Sequence, residues 1–119
     1  MKPFECDVCE KKVSSRDAVV RWRADREKNS VETFQIVHDN PVCSFKGKKG
    51  YFNRELPLEY VFKYMPEFIA YINRFNVKQK QLKDFVHRIE KGRSYIRRFN
   101  IDKKEVKKLI IRLDGLDRG

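Results

Sequence analysis

Four side chains within the first 43 positions have the types and spacing of a metal site: Cys6 and Cys9 with two residues between them, and His38 and Cys43 with four. A structural zinc ion takes thiolate and imidazole donors in a tetrahedron, and a C-x2-C turn delivers two sulfurs to one side. The 28 residues between Cys9 and His38 are enough for a hairpin to run out and return. The loop Asp39-Asn40-Pro41-Val42 then lets the chain reverse between the second pair. Four protein ligands leave no open position for water, so zinc at Cys6, Cys9, His38 and Cys43 is expected to fold the chain and to perform no hydrolysis. Each ligand also has a plainer reading. Cys43 can be a small buried hydrophobe, His38 a strand-end histidine, and Cys6 with Cys9 a redox dithiol, but the strand-loop-helix setting of a thioredoxin-like dithiol is missing. The other histidine, His87, stands beside Arg88 in a helical segment and reads as a polar surface residue.

No catalytic constellation accompanies these residues. His38-Asp39-Asn40 invites comparison with His-containing metal nucleases, yet a histidine bound to structural zinc is not free to act as a base. There is no G-x-S-x-G, no phosphate-cradling glycine loop and no H-E-x-x-H. Nothing in the sequence sets Cys43 against His87 as nucleophile and base. The expectation is a protein without enzymatic activity.

Positioning the ligands calls for a hairpin between the two pairs. The run Ala18 to Ala24 is rich in β-branched and aromatic residues and partly alternates. Val31 to His38 alternates again and puts Phe34 and Ile36 on the face that meets Val20 and Trp22. Asp25 to Ser30 is the polar turn between them. From Asp39 to Gly50 the pattern is that of a loop, with Pro41, Gly47 and Gly50. The second half of the chain changes to helical spacing. Leu56-Pro57 opens a segment in which Leu58, Val61, Phe62, Met65, Phe68, Ile69 and Ile72 recur every three or four residues. Pro66 interrupts it and predicts two helices or a kink near Tyr64 and Met65. A further helix is expected over about 78–91 with Gly92 as its stop, and a last one over about 102–113.

An internal repeat underlies these helices. A shift of 24 residues lays Tyr71-Ile72-Asn73-Arg74-Phe75-Asn76-Val77 over Tyr95-Ile96-Arg97-Arg98-Phe99-Asn100-Ile101, and apolar positions continue to match through residues 71–89 and 95–113. In the second copy Asp102 and Glu105 form a capping-box pattern. The fold class expected is α+β: a zinc-stapled β-hairpin module over 1–50 in the manner of a zinc ribbon or treble clef, then a basic bundle of three or four helices over 51–119.

Charge supplies the functional expectation. The 119 residues carry a formal charge of +11. Residues 1–50 hold 11 Lys and Arg against 8 Asp and Glu, or +3, and residues 51–119 hold 17 against 9, or +8. An excess of +8 over one small helical region is more than solubility needs and favours a polyanionic partner. Lys80, Lys83, Arg88, Arg97, Arg98, Lys104 and Lys107 are the candidate phosphate contacts, making DNA or RNA the expected partner. Lys46, Lys48, Lys49 and Arg54 form a second basic cluster, and Arg21 and Arg23 flank Trp22. Tyr71, Phe75, Tyr95 and Phe99 are interleaved with the charge but keep helical register and read as core. A basic surface also suits an acidic protein, so an adaptor or inhibitor of a host factor is the alternative.

The knuckle Cys6-Asp7-Val8-Cys9, the run Val20-Arg21-Trp22, the strand end Ile36-Val37-His38 and the later Cys43, followed by a helical tail, resemble small bacterial and phage proteins with a zinc-ribbon-like N-terminus, mostly of unassigned function. The resemblance covers about the first 45 residues and implies a bacterial or phage source. It implies no activity. Met1-Lys2-Pro3-Phe4 lacks the charged and apolar regions of a signal peptide, and no apolar run nears the roughly 20 residues of a membrane span, so a cytoplasmic protein with no membrane partner is expected. Three cysteines in a reducing compartment also point to metal rather than to disulfides.

Overall fold

Residues 4–40, 43 and 54–96 are described by the computed structural model. The chain begins with two short strands, β1 (Phe4–Glu5) and β2 (Lys12–Val13), which pair antiparallel across the turn that contains Cys6 and Cys9. The alternating runs then form β3 (Ala18–Asp25) and β4 (Ser30–His38), paired antiparallel with Val20 opposite Ile36 and Arg21 opposite Gln35. In the turn between them Asn29 has φ 48°, a left-handed conformation that its short polar side chain tolerates. The third strand, β5 (Arg54–Pro57), adds to the free edge of β3 and gives the antiparallel order β4-β3-β5. Its last residues, Leu56 and Pro57, are not the opening of a helix that the sequence suggests. Four residues ending in proline show too little alternation to announce a strand, and the pairing with β3 decides the matter.

A bulge breaks the hairpin at its most crowded point. Pairing passes from Arg21 with Gln35 to Arg23 with Glu32, so Thr33 and Phe34 together face Trp22. Thr33 takes φ 61°, costly for a β-branched residue. Its N–H is directed out of the ladder and donates to Gln81 Oε1 at 3.3 Å, which satisfies the bulge from a neighbouring helix. Arg23 and Glu32 form an ion pair beside it.

Among the described residues three α-helices follow, α1 (Leu58–Lys63), α2 (Met65–Ile72) and α3 (Gln79–Lys91), and then a 3-10 turn at Arg93–Tyr95. The break between α1 and α2 falls at Tyr64, with φ −115° and ψ 43°, because Pro66 has no N–H to continue α1 but fits the first turn of α2. Between α2 and α3 the chain touches the hairpin: Val31 N–H donates to Asn76 O at 3.0 Å and Asn76 N–H to Asn29 O at 2.8 Å. The helix expected over 102–113, and the repeat beyond Ile96, lie outside the described residues.

One face of the sheet carries the main core. Val20, Trp22 and Ile36 pack with Leu58, Val61, Phe68, Tyr71, Ile72, Leu82, Phe85 and Ile89, and Phe4 and Val13 join from the first strand pair. Tyr71 is buried and Phe75 packs against the same core, so these aromatics are core residues as their register suggests. Trp22 sits edge-on to Phe68, with ring centroids 5.7 Å apart, and Phe34 stacks on Phe85 at 5.4 Å.

Gly92 ends α3 for a reason other than backbone freedom. Its φ of −92° suits any residue, but a Cβ there would lie 2.7 Å from Cε1 and 3.0 Å from Cε2 of Phe4, and closer still to Cζ. The Phe4 ring is buried and cannot retreat into solvent. Gly92→Ala should therefore cost about 1–3 kcal/mol by overpacking, measurable by urea denaturation, and Phe4→Leu should recover part of that loss.

Candidate metal centre

The opposite face of the sheet builds a second, smaller cluster. Alternation along β3 and β4 turns Val19 and Val37 away from the helices and toward Cys6 and Cys43, with Val8 and Cys9 packed beside them. His38 ends β4 at this point. The donor atoms of Cys6, Cys9, His38 and Cys43 all lie within 4.8 Å of one another, close enough to hold a metal ion. His38 Nδ1 is 3.4 Å from Cys9 Sγ and 3.7 Å from Cys43 Sγ. The other ring nitrogen, Nε2, lies 3.1 Å from the Lys12 carbonyl. A carbonyl only accepts, so Nε2 donates its proton there and Nδ1 faces the sulfurs.

Local backbone bonds shape the knuckle. Cys6 N–H donates to Lys11 O and Glu10 N–H to Cys6 O, both at 2.9 Å, and Val8 N–H donates to Cys6 Sγ at 3.4 Å. Closing this turn puts Glu10 at φ 63°, a conformation that costs a residue with a Cβ on the order of 1–2 kcal/mol. Asp7, inside the knuckle, is fastened on two sides. Its N–H donates to Ile36 O at 2.9 Å, and its carboxylate accepts from Ile36 N–H and from Arg88 Nη1, each at 2.8 Å. Arg88 Nη2 also donates to Glu5 O at 2.9 Å. The knuckle is thus clipped to the edge of β4 and to α3. Cys43 follows β4, and Asn40 Oδ1 accepts its N–H at 2.8 Å.

The thiols are driven apart in acidity. Burial pushes Cys6 up, but backbone N–H groups of Cys9, Val8 and His38, together with the His38 ring, prevail and bring it down to about 6. Burial pushes Cys43 up to about 11, reinforced by its hydrogen bonds with Cys6 and Cys9 and by their negative charge. Cys6 loses its proton before Cys43, and a cation held there would displace the remaining thiol protons.

Arg21, one of the two arginines that flank Trp22, is 2% exposed and lies against this centre. Burial lowers its pKa, opposed by the negative charges of Cys6, Glu55, Asp7 and Cys43. Arg54, from the second basic cluster, is also buried. Strand alternation was the available signal, because Val20 and Trp22 cannot face the core without Arg21 facing the opposite side. Among the candidate phosphate contacts, Lys80 and Lys83 are exposed on α3, and Arg88 is engaged with Asp7 and Glu5. Arg97, Arg98, Lys104 and Lys107 lie outside the described residues. His87 is exposed on α3, away from the cysteines. No helix among the described residues is long and apolar enough to cross a membrane.

No protein-family model, curated protein or solved structure matches this chain.

Proposed function

We propose that the protein is a non-enzymatic nucleic-acid-binding module in which a structural zinc ion at Cys6, Cys9, His38 and Cys43 holds a scaffold and the helices present Lys and Arg to phosphates. The observation that carries the zinc reading is the spacing of the donors. A tetrahedral ion with sulfurs at about 2.3 Å and nitrogen at about 2.0–2.1 Å sets ligand atoms roughly 3.5–3.8 Å apart, close to the 3.4 and 3.7 Å from His38 to its two sulfurs. Three thiols and one imidazole are the soft donor set that zinc prefers, in the manner of a zinc ribbon. All four positions of the tetrahedron are filled by protein. The role left for the ion is structural.

Net charge supports the nucleic-acid reading. Lys80, Lys83, His87 and Lys91 lie on the outer side of α3, with the acidic residues Asp84 and Glu90 exposed among them, and the excess of +8 after residue 50 continues past the described residues. Arg88 braces the knuckle, so Lys80 and Lys83 are the contacts on this helix. Exchanging Lys80, Lys83 and Arg97 for Glu should abolish binding of labelled duplex or single-stranded nucleic acid at low salt. In wild type the logarithm of affinity should fall with the logarithm of salt by about 0.9 per neutralised phosphate on duplex. Unchanged affinity and slope in the triple variant would refute this role. Stoichiometric capture of an acidic protein, without any shift of nucleic acid near physiological salt, would assign the basic surface to a protein partner.

A further inference from the structure

A buried arginine stands directly behind the cysteine cluster, and its placement is specific. Arg21 is on β3 between Val19, which packs on Cys6 and Cys43, and the end of the hairpin. Its Nη1 donates to the main-chain carbonyl of Cys43 at 2.9 Å. Nε and Nη2 both donate to Gln35 Oε1, at 2.9 and 2.8 Å, across the β3–β4 ladder where the two residues are register partners. Gln35 thereby holds the fork edge-on and leaves the remaining nitrogen on the Cys43 carbonyl. On the other side Arg21 pairs in register with Glu55, whose side chain is exposed.

Burial of a guanidinium is costly unless the charge is compensated close by. Cys6, Glu55, Asp7 and Cys43 place negative charge beside Arg21, and a loaded centre would hold the cysteine share of it fixed there. Three thiolates and a neutral imidazole around a divalent ion carry one negative charge in excess, and a single guanidinium beside them brings the sum to zero. The same contact fixes the candidate ligand that follows the hairpin. Cys6 and Cys9 share one turn and His38 ends a strand, whereas Cys43 is tied by its N–H to Asn40 and by its carbonyl to Arg21. Polar groups placed in this way around metal ligands tune affinity by one to two orders of magnitude.

We propose that Arg21 is a positioning residue of the metal centre, one that anchors the Cys43 ligand through its carbonyl and supplies the positive charge balancing the loaded site. The assignment rests on the metal reading given above, so wild type is measured first. Cobalt(II) is titrated into the full chain at neutral pH, with a chromophoric chelator as competitor, and the cobalt–thiolate charge-transfer band reports ligation. Arg21→Gln removes the charge, and Arg21→Lys keeps it on a single nitrogen without the fork. Gln35→Glu leaves the guanidinium and its geometry in place but cancels the charge. Arg21→Gln and Gln35→Glu should each bind cobalt(II) about 10–100-fold more weakly than wild type. Arg21→Lys should fall between wild type and Arg21→Gln. Wild-type affinity in Gln35→Glu, or an Arg21→Lys protein no better than Arg21→Gln, would overturn the proposal. If Arg21→Gln does not fold, Gln35→Glu decides the question alone. A wild-type chain that develops no cobalt–thiolate band overturns the metal reading, and this assignment with it.

Discussion

Stripping the metal with a strong chelator should unfold the three-stranded sheet together with the helices packed on it. A structural zinc ion contributes on the order of 10 kcal/mol or more to folding, comparable to the whole stability of about 5–15 kcal/mol of an ordinary domain. Its loss here would act on a sheet shared by two clusters. Val19 and Val37 rest on Cys6 and Cys43, while Val20, Trp22 and Ile36, on the same strands, carry the helices. Asp7 adds a direct link, joining the knuckle to α3 through Arg88 at 2.8 Å. Damage at the cysteines therefore reaches the helical face through one strand thickness. The single tryptophan is a convenient reporter, since Trp22 is fully buried on that face. Chelation, or Cys6→Ser, should red-shift its fluorescence and reduce far-ultraviolet circular dichroism in one coincident transition, and excess zinc should restore the wild-type protein. Identical spectra in rigorously metal-free protein would count against a structural ion.

Trp22→Ala should be the most damaging single core substitution away from the cysteines, at about 3–5 kcal/mol. The ring is enclosed by Phe34, Phe68 and Tyr71, with centroids 6.4, 5.7 and 6.4 Å away, and rigid aromatic neighbours collapse poorly into a cavity. Trp22→Phe should cost clearly less than Trp22→Ala. The buried Nε1 has no hydrogen-bond partner among the described residues, and removing a desolvated donor recovers part of a penalty of roughly 1–3 kcal/mol. Urea denaturation followed by circular dichroism, with metal at saturation, measures both variants. Equal losses for Phe and Ala would show that packing around the larger ring outweighs the donor entirely.

The strands β3 and β4, the break before Pro66 and the extent of α3 were legible because each is written in local periodicity or in proline's missing donor. Gly92 was recognised as a stop, although its small size serves Phe4 rather than a left-handed cap. The four residues of the cluster were legible for a different reason: Cys and His are scarce in this chain, and their spacing fits a turn and a hairpin. Strand β5 was hidden, since four residues carry no period and the strand exists only through its ladder with β3. The bulge at Thr33 was equally hidden, because the glutamine that satisfies it lies 48 residues away.

By itself the sequence determined an α+β chain with a hairpin returning one pair of candidate ligands to the other, and an excess of positive charge after residue 50. Tertiary structure alone decided that the donors converge within 4.8 Å, with His38 turned by the Lys12 carbonyl so that Nδ1 faces the sulfurs. It also separated the basic residues by fate. Arg21 went inside, Arg88 went to the knuckle, and Lys80 and Lys83 stayed in solvent. Charge is a property of composition, but whether a charge is buried, paired or free depends on which strand face and which neighbouring element its side chain meets.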